Sequence, residues 1–130
     1  MLQDRKSFAG RIADSVRMCM YMVCGVRENK YKQPKFIENS AQDSLYYQLT
    51  ALIDKGKINE AEDIMYERLN PEFNDDYYTM LCLYDYMNGL EDGFLRENNF
   101  SREEILDGIK EITHIHDMDG IYEIIISELC

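Results

Sequence analysis

The densest group of side chains able to do chemistry lies in THIHDMDG, residues 113–120, where His114, His116, Asp117 and Asp119 could each offer a lone pair to a metal ion. A metal site needs ligands that converge. On a continuous helix His114 and His116 leave the axis roughly 160° apart, so they share an ion only if the helix ends here. Gly120 would be the sixth position of a calcium loop, but the first and twelfth positions would then be Ile115 and Ile126, which cannot ligate. The competing reading is a helix C-terminus, where imidazoles sit favourably near the negative end of the helix dipole. These four residues are weak metal candidates, and the expectation is no metal and no cofactor.

Other chemistry is thinner still. The chain has no glycine-rich phosphate loop and no serine in a nucleophile-elbow pattern. Glu60, Glu62, Asp63, Glu103, Glu104 and Asp107 read as a solvated acidic face, and with no His or Lys set beside them they form no acid–base pair. Cys19, Cys24, Cys82 and Cys130 have neither CxxC nor zinc-ribbon spacing, and Cys19 and Cys82 fall in apolar surroundings as small core residues. This usage points to a reducing, cytoplasmic compartment. No catalytic residue stands out, and the protein is expected not to be an enzyme.

The more telling side chains are ten tyrosines and eight methionines. Tyr46 and Tyr47, Tyr77 and Tyr78, and Tyr84 and Tyr86 are near neighbours, so the members of each pair leave a helix on different faces. Some must reach the surface or an interface, where tyrosine is enriched. Methionine fills irregular gaps and suits adaptable contacts.

The elements that would carry these residues are helical. Phe8, Ile12, Val16, Cys19 and Val23 recur at helical spacing and predict a helix over residues 3–24. Met18, Tyr21 and Met22 project from the face opposite that stripe, so the last two turns are apolar almost all round and need neighbours on more than one side. GVRENKYKQPKFIEN, residues 25–39, has no period, contains Pro34 and reads as a mobile linker. Ser40 can cap a helix carrying Leu45, Leu49, Leu52 and Ile53, which Gly56 closes. The next helix, over 58–69, turns Ile58, Ala61, Ile64, Met65 and Leu69 inward. YYTMLCLYDYMNGL, starting near Asp75 or Asp76, is apolar round most of its circumference and is the expected centre of the fold. Ser101 and Glu104 form a capping box for a helix carrying Ile105, Ile109 and Ile112. GIYEIIISELC, residues 120–130, could be a strand by composition, but nothing else offers to pair with it, so it too is read as helix.

Length and charge narrow the function classes. A chain of 130 residues with 45% apolar content is one globular domain. A net charge of −11 argues against general binding to nucleic acid and against bulk attraction to an anionic membrane. The charge is unevenly placed. Residues 1–36 hold eight basic against three acidic side chains, a net of +5, and residues 37–130 hold six against 22, a net of −16. Such a basic head can seek an acidic partner or dock on an acidic body, its own or a second copy's, and its apolar stripe favours docking. MCMYMVCGV, residues 18–26, is too short and follows too many charges to read as a signal peptide, and no run approaches the ~20 apolar residues of a membrane span.

Around Gly56 the chain resembles half of a tetratricopeptide repeat. Gly56, Ile58, Ala61 and Met65 match that family's turn glycine, apolar, small and large apolar positions in register, while Pro71 comes two residues early. The resemblance covers residues 45–71 and does not recur: at the family's repeat length Met22 and Leu90 stand where further glycines would be, and Arg27 and Leu95 where further small residues would be. It implies one tetratricopeptide-like hairpin and no repeat array. DKGKINEAEDIMYERL (54–69) and NNFSREEILDGIKEI (98–112) are also similar to a family of small acidic helical proteins of Gram-positive anaerobic bacteria, a domain of unknown function. That resemblance implies a bacterial helical protein and supplies no catalytic residues.

Together these features predict an all-α, single-domain bundle of six or seven helices: a basic amphipathic helix (1–24), a linker (25–39) and an acidic helical body (40–130). The predicted function is a non-catalytic protein–protein interaction or scaffold protein. It is expected to form a homodimer through Met18, Tyr21 and Met22, because one intramolecular face cannot bury both sides of the first helix. The competing readings are a small-molecule-binding protein with a Tyr- and Met-lined pocket, and an acidic decoy of a nucleic-acid-binding site. Neither nucleic-acid binding nor membrane insertion is expected.

Overall fold

The structure is a computed structural model that describes residues 7–22 and 41–116, with side chains for 7–20 and 44–116. The expected linker and the terminal segment from Asp117 onward lie outside these residues. Six helices follow in order: α1 (Phe8–Met22), α2 (Ala41–Asp54), α3 (Ile58–Arg68), α4 (Asn74–Asn88), α5 (Asp92–Glu97) and α6 (Arg102–His116). The described residues contain no strand, and the architecture is an all-α bundle.

α4 occupies the centre, packed against α1, α2 and α6, while α2 pairs with α3 and α1 also lies on α6. The physical cause is its nearly uniform apolar circumference: Tyr77, Thr79, Met80, Leu81, Cys82, Leu83, Tyr84, Met87 and Asn88 are all buried. A helix of that kind needs neighbours all round. α1 covers one side through Ile12, Val16, Cys19 and Met20. Just before Phe8 the Ser7 hydroxyl accepts the Gly10 amide at 3.0 Å and caps the helix, while residues 3–6 and 23–24 of the expected span lie outside the described residues.

The joints are set by local chemistry. Gly56 closes α2 with φ of +87°, a left-handed conformation that costs glycine nothing, and its amide bonds to the Ile53 carbonyl. A Cβ on Gly56 would overlap the Asn98 side chain, so this turn also lies tight against the end of α5. Ser101 and Glu104 cap α6 reciprocally: the Glu104 amide bonds to Ser101 Oγ at 3.2 Å, and Glu104 Oε2 accepts the Ser101 amide at 3.0 Å. The Arg102 guanidinium binds the Asn88 and Leu90 carbonyls, which the end of α4 leaves free, and pairs with Asp92 at 2.9 Å. Asn88 in turn donates to the Ala9 carbonyl at 2.8 Å, so one polar knot fastens α1, α4, α5 and α6.

Candidate functional site

Tyr84 is the starting point, because burying a phenol obliges its hydroxyl to find a partner. The residue is fully buried on α4. Its hydroxyl donates to Glu62 Oε2 at 2.5 Å and lies 3.1 Å from the Tyr66 hydroxyl, both on α3. The ring reaches α3 by passing over Gly108 of α6, where a Cβ would overlap Tyr84 Cζ and its hydroxyl. The missing side chain at 108 is therefore what lets a residue of the central helix bond a carboxylate on another. Glu62 does not belong to the solvated acidic face expected of it. It follows Ala61 at the edge of the buried stripe of α3 and is half-buried.

The electrostatics of this cluster run one way. Burial pushes the Glu62 carboxyl above the usual carboxylate range, and the nearby charges of Glu104 and Asp63 add to the rise, against the lowering effect of the Tyr84 bond. Burial also raises the Tyr66 phenol, with the charges of Glu62 and Glu111 adding to it. The Tyr84 phenol is raised strongly, by burial first and then by the Glu62 charge. Carboxylates from α3 and α6 thus converge on one half-buried carboxyl, and the partly exposed Tyr66 ring stands beside them. Such a seam can take up a proton, and it can attract a cationic side chain that rests on the aromatic face.

A second polar line runs through the other end of α4. The Tyr77 hydroxyl shares a hydrogen with Thr113 Oγ1 at 2.8 Å, and Cys19 Sγ lies 3.8 Å from the same oxygen. His116 stacks on the Tyr77 ring, with centroids 4.3 Å apart, and its Nδ1 bonds to the Pro71 carbonyl at 2.8 Å. Burial pushes the Cys19 thiol up, which keeps it protonated and unreactive.

Of the four metal candidates, His116 is occupied in this packing, His114 is exposed on another face of α6, and Asp117 and Asp119 lie outside the described residues. Among the described residues no group of three or more His, Cys, Asp or Glu could hold a metal ion. Of the expected interaction residues, Met18 is half-buried and packs against the core, while the side chains of Tyr21 and Met22 lie outside the description. In the hairpin, Ile58, Ala61 and Met65 are buried at the α2–α3 contact that Gly56 allows.

One tyrosine pair divides between inside and outside, with Tyr46 1% exposed and Tyr47 56%, while Tyr78 and Tyr86 are partly buried against the core beside the buried Tyr77 and Tyr84. Tyr86 reaches from α4 to Asp54 of α2 at 2.6 Å, a bond that pushes its phenol up to about 12. A cavity of about 520 Å³ opens between the start of α1 and the α5–α6 joint, lined by Phe8, Leu95, Arg96, Phe100, Arg102 and Glu103 among others. Among the described residues that line it there is neither tyrosine nor methionine. Glu62, Tyr84 and Gly108 escaped sequence reasoning, because each looks ordinary at its own position. The available signal was a glycine inside the strongly helical run EILDGIKEI, which costs about 1 kcal/mol and calls for a packing reason.

No described helix is long and apolar enough to cross a membrane. The model of a family of unknown function (DUF6483) matches residues 5–117, most of the chain, and the chain belongs to that family. No curated protein and no solved structure matches it.

Proposed function

We propose that this member of the family is a non-catalytic interaction protein whose acidic α3–α6 seam, around Glu62 and Tyr66, receives a basic segment of a protein partner. The observation that carries the reading is that Glu62 and Glu111 act on the partly exposed Tyr66 while Asp63 and Glu104 act on Glu62, in a body of net charge −16. A lysine or arginine placed there would meet several carboxylates and an aromatic face at once. The non-catalytic part of the proposal is supported by how the reactive groups are used: Tyr84, Tyr77, His116 and Cys19 each serve a packing contact or a hydrogen bond inside the bundle. The buried free cysteines Cys19 and Cys82 suit a reducing cytoplasm.

A second copy of the chain is one partner of this class, since residues 1–36 carry a net +5. Dimerisation through Met18 has less to recommend it, because the core already claims part of that side chain. The test is titration of a Lys- and Arg-rich peptide into the wild type and into a Glu104→Lys, Glu111→Lys double variant at low and raised salt, with sedimentation of both proteins alongside. Saturable binding, or self-association, that weakens in the variant and in salt supports the proposal. Equal affinity for wild type and variant at low salt overturns it.

A further inference from the structure

We propose that Glu62 is a proton-operated latch: taking up one proton tightens α3 on the rest of the bundle, and losing it loosens α3. This does not depend on the partner reading above. The geometry supplies the parts. Among its described polar contacts, α3 is tied to the rest of the bundle by Asn59, which donates to the Asn99 carbonyl of the α5–α6 turn at 3.2 Å, and by the Glu62–Tyr84–Tyr66 cluster. Of these ties only the carboxyl changes charge in the weakly acidic range.

The groups facing Glu62 are Tyr84 from α4, Glu104 from α6, and Asp63 and Tyr66 on its own helix, with Glu111 of α6 facing Tyr66. Not one of these carries a positive charge. With Glu62 ionised, two protons serve three oxygens, and Tyr84 spends its proton on the carboxylate. With Glu62 protonated there are three protons for the same oxygens, the chain of bonds can run in either direction, and repulsion from Glu104 and Asp63 disappears.

The sign follows from burial, the largest cause, and like charge, which together favour the neutral acid in the folded protein by more than the Tyr84 bond favours the ionised one. A carboxyl raised on folding contributes stability that is complete at low pH and is lost as pH rises through the folded-state pKa. Gly108 makes the contact possible, because a side chain there would occupy the space through which Tyr84 reaches Glu62.

The decisive experiment is hydrogen exchange of the full chain from neutral pH down into the carboxylate range, corrected for intrinsic rates, in wild type, Glu62→Gln and Glu104→Gln. The wild type should gain protection in α3 relative to α6 on acidification, by about tenfold for each pH unit that the folded carboxyl is displaced upward. Glu62→Gln should keep the high protection throughout, and Glu104→Gln should move the midpoint down without abolishing it. Parallel profiles in wild type and Glu62→Gln overturn the proposal. So does a direct NMR titration of the wild-type Glu62 carboxyl that places it at or below the ordinary carboxylate range, a readout that needs no variant to fold.

Discussion

Tyr77 and Tyr84 stand seven residues apart on one face of α4, and both are fully buried. Both cross to α6, and there they part. Tyr77 gives its hydroxyl to Thr113, a neutral partner inside the bundle, and is sealed by the stacked His116 ring. Tyr84 passes over Gly108 and gives its hydroxyl to a carboxylate that is only half-buried. The same residue type in the same kind of position thus builds a joint on a neutral hydroxyl at one end and an acid-rimmed one on a carboxylate at the other. What decides between them is the partner: a hydrogen bond to an ionised group is stronger and leaves a charge behind when it is cut.

The largest way to break this comparison is to fill the gap under Tyr84. Gly108→Leu would put a branched side chain where the ring lies, expel it and leave Glu62 without its donor. The expected loss is more than about 3 kcal/mol in denaturant unfolding. A variant as stable as wild type would mean that Tyr84 is not held there.

The comparison is sharpened by removing each hydroxyl alone. Tyr84→Phe should cost about 2 kcal/mol and Tyr77→Phe about 1 kcal/mol, in keeping with a charged and a neutral partner. In a Glu62→Gln background the cost of Tyr84→Phe should fall to about that of Tyr77→Phe, and a double-mutant cycle reads the difference directly. Equal costs for the two tyrosines in the wild type would erase the distinction.

The smallest effects concern the closed end. His116→Ala, which removes a stacked ring and a bond to the Pro71 carbonyl, should cost about 1 kcal/mol, and His114→Ala, at an exposed position, less than about 0.5 kcal/mol. Zinc or nickel in modest excess should leave the melting temperature of wild type unmoved, since a tight ligand of the native state must raise it. A rise that vanishes in the His114→Ala, His116→Ala double variant would make this end a metal site.

Much of the fold was legible along the chain because helical periodicity and capping are local. The stripe through Ile12, Val16 and Cys19, the left-handed Gly56, the Ser101–Glu104 box and the all-round apolar α4 each depend on residues a turn or two apart. The fastenings were not legible, since their partners are distant in sequence. Arg102 meets Asn88 and Leu90, Asn88 meets Ala9, and Tyr77 meets Thr113. Glu62 looked like one more member of a solvated acidic face, because its period places it at the edge of the buried stripe and says nothing about what leans on it.

By itself, then, the sequence determined the helices, their ends, which faces are apolar and the sign of the charge, all consequences of spacing and side-chain type over short distances. Tertiary structure alone decided which polar groups lose their water together. Whether Glu62 is a surface charge or a half-buried, proton-hungry carboxyl depends on α4 delivering Tyr84 across the one position of α6 that has no side chain. Desolvation and Coulomb repulsion act between neighbours in space, and those neighbours exist only once three helices have packed.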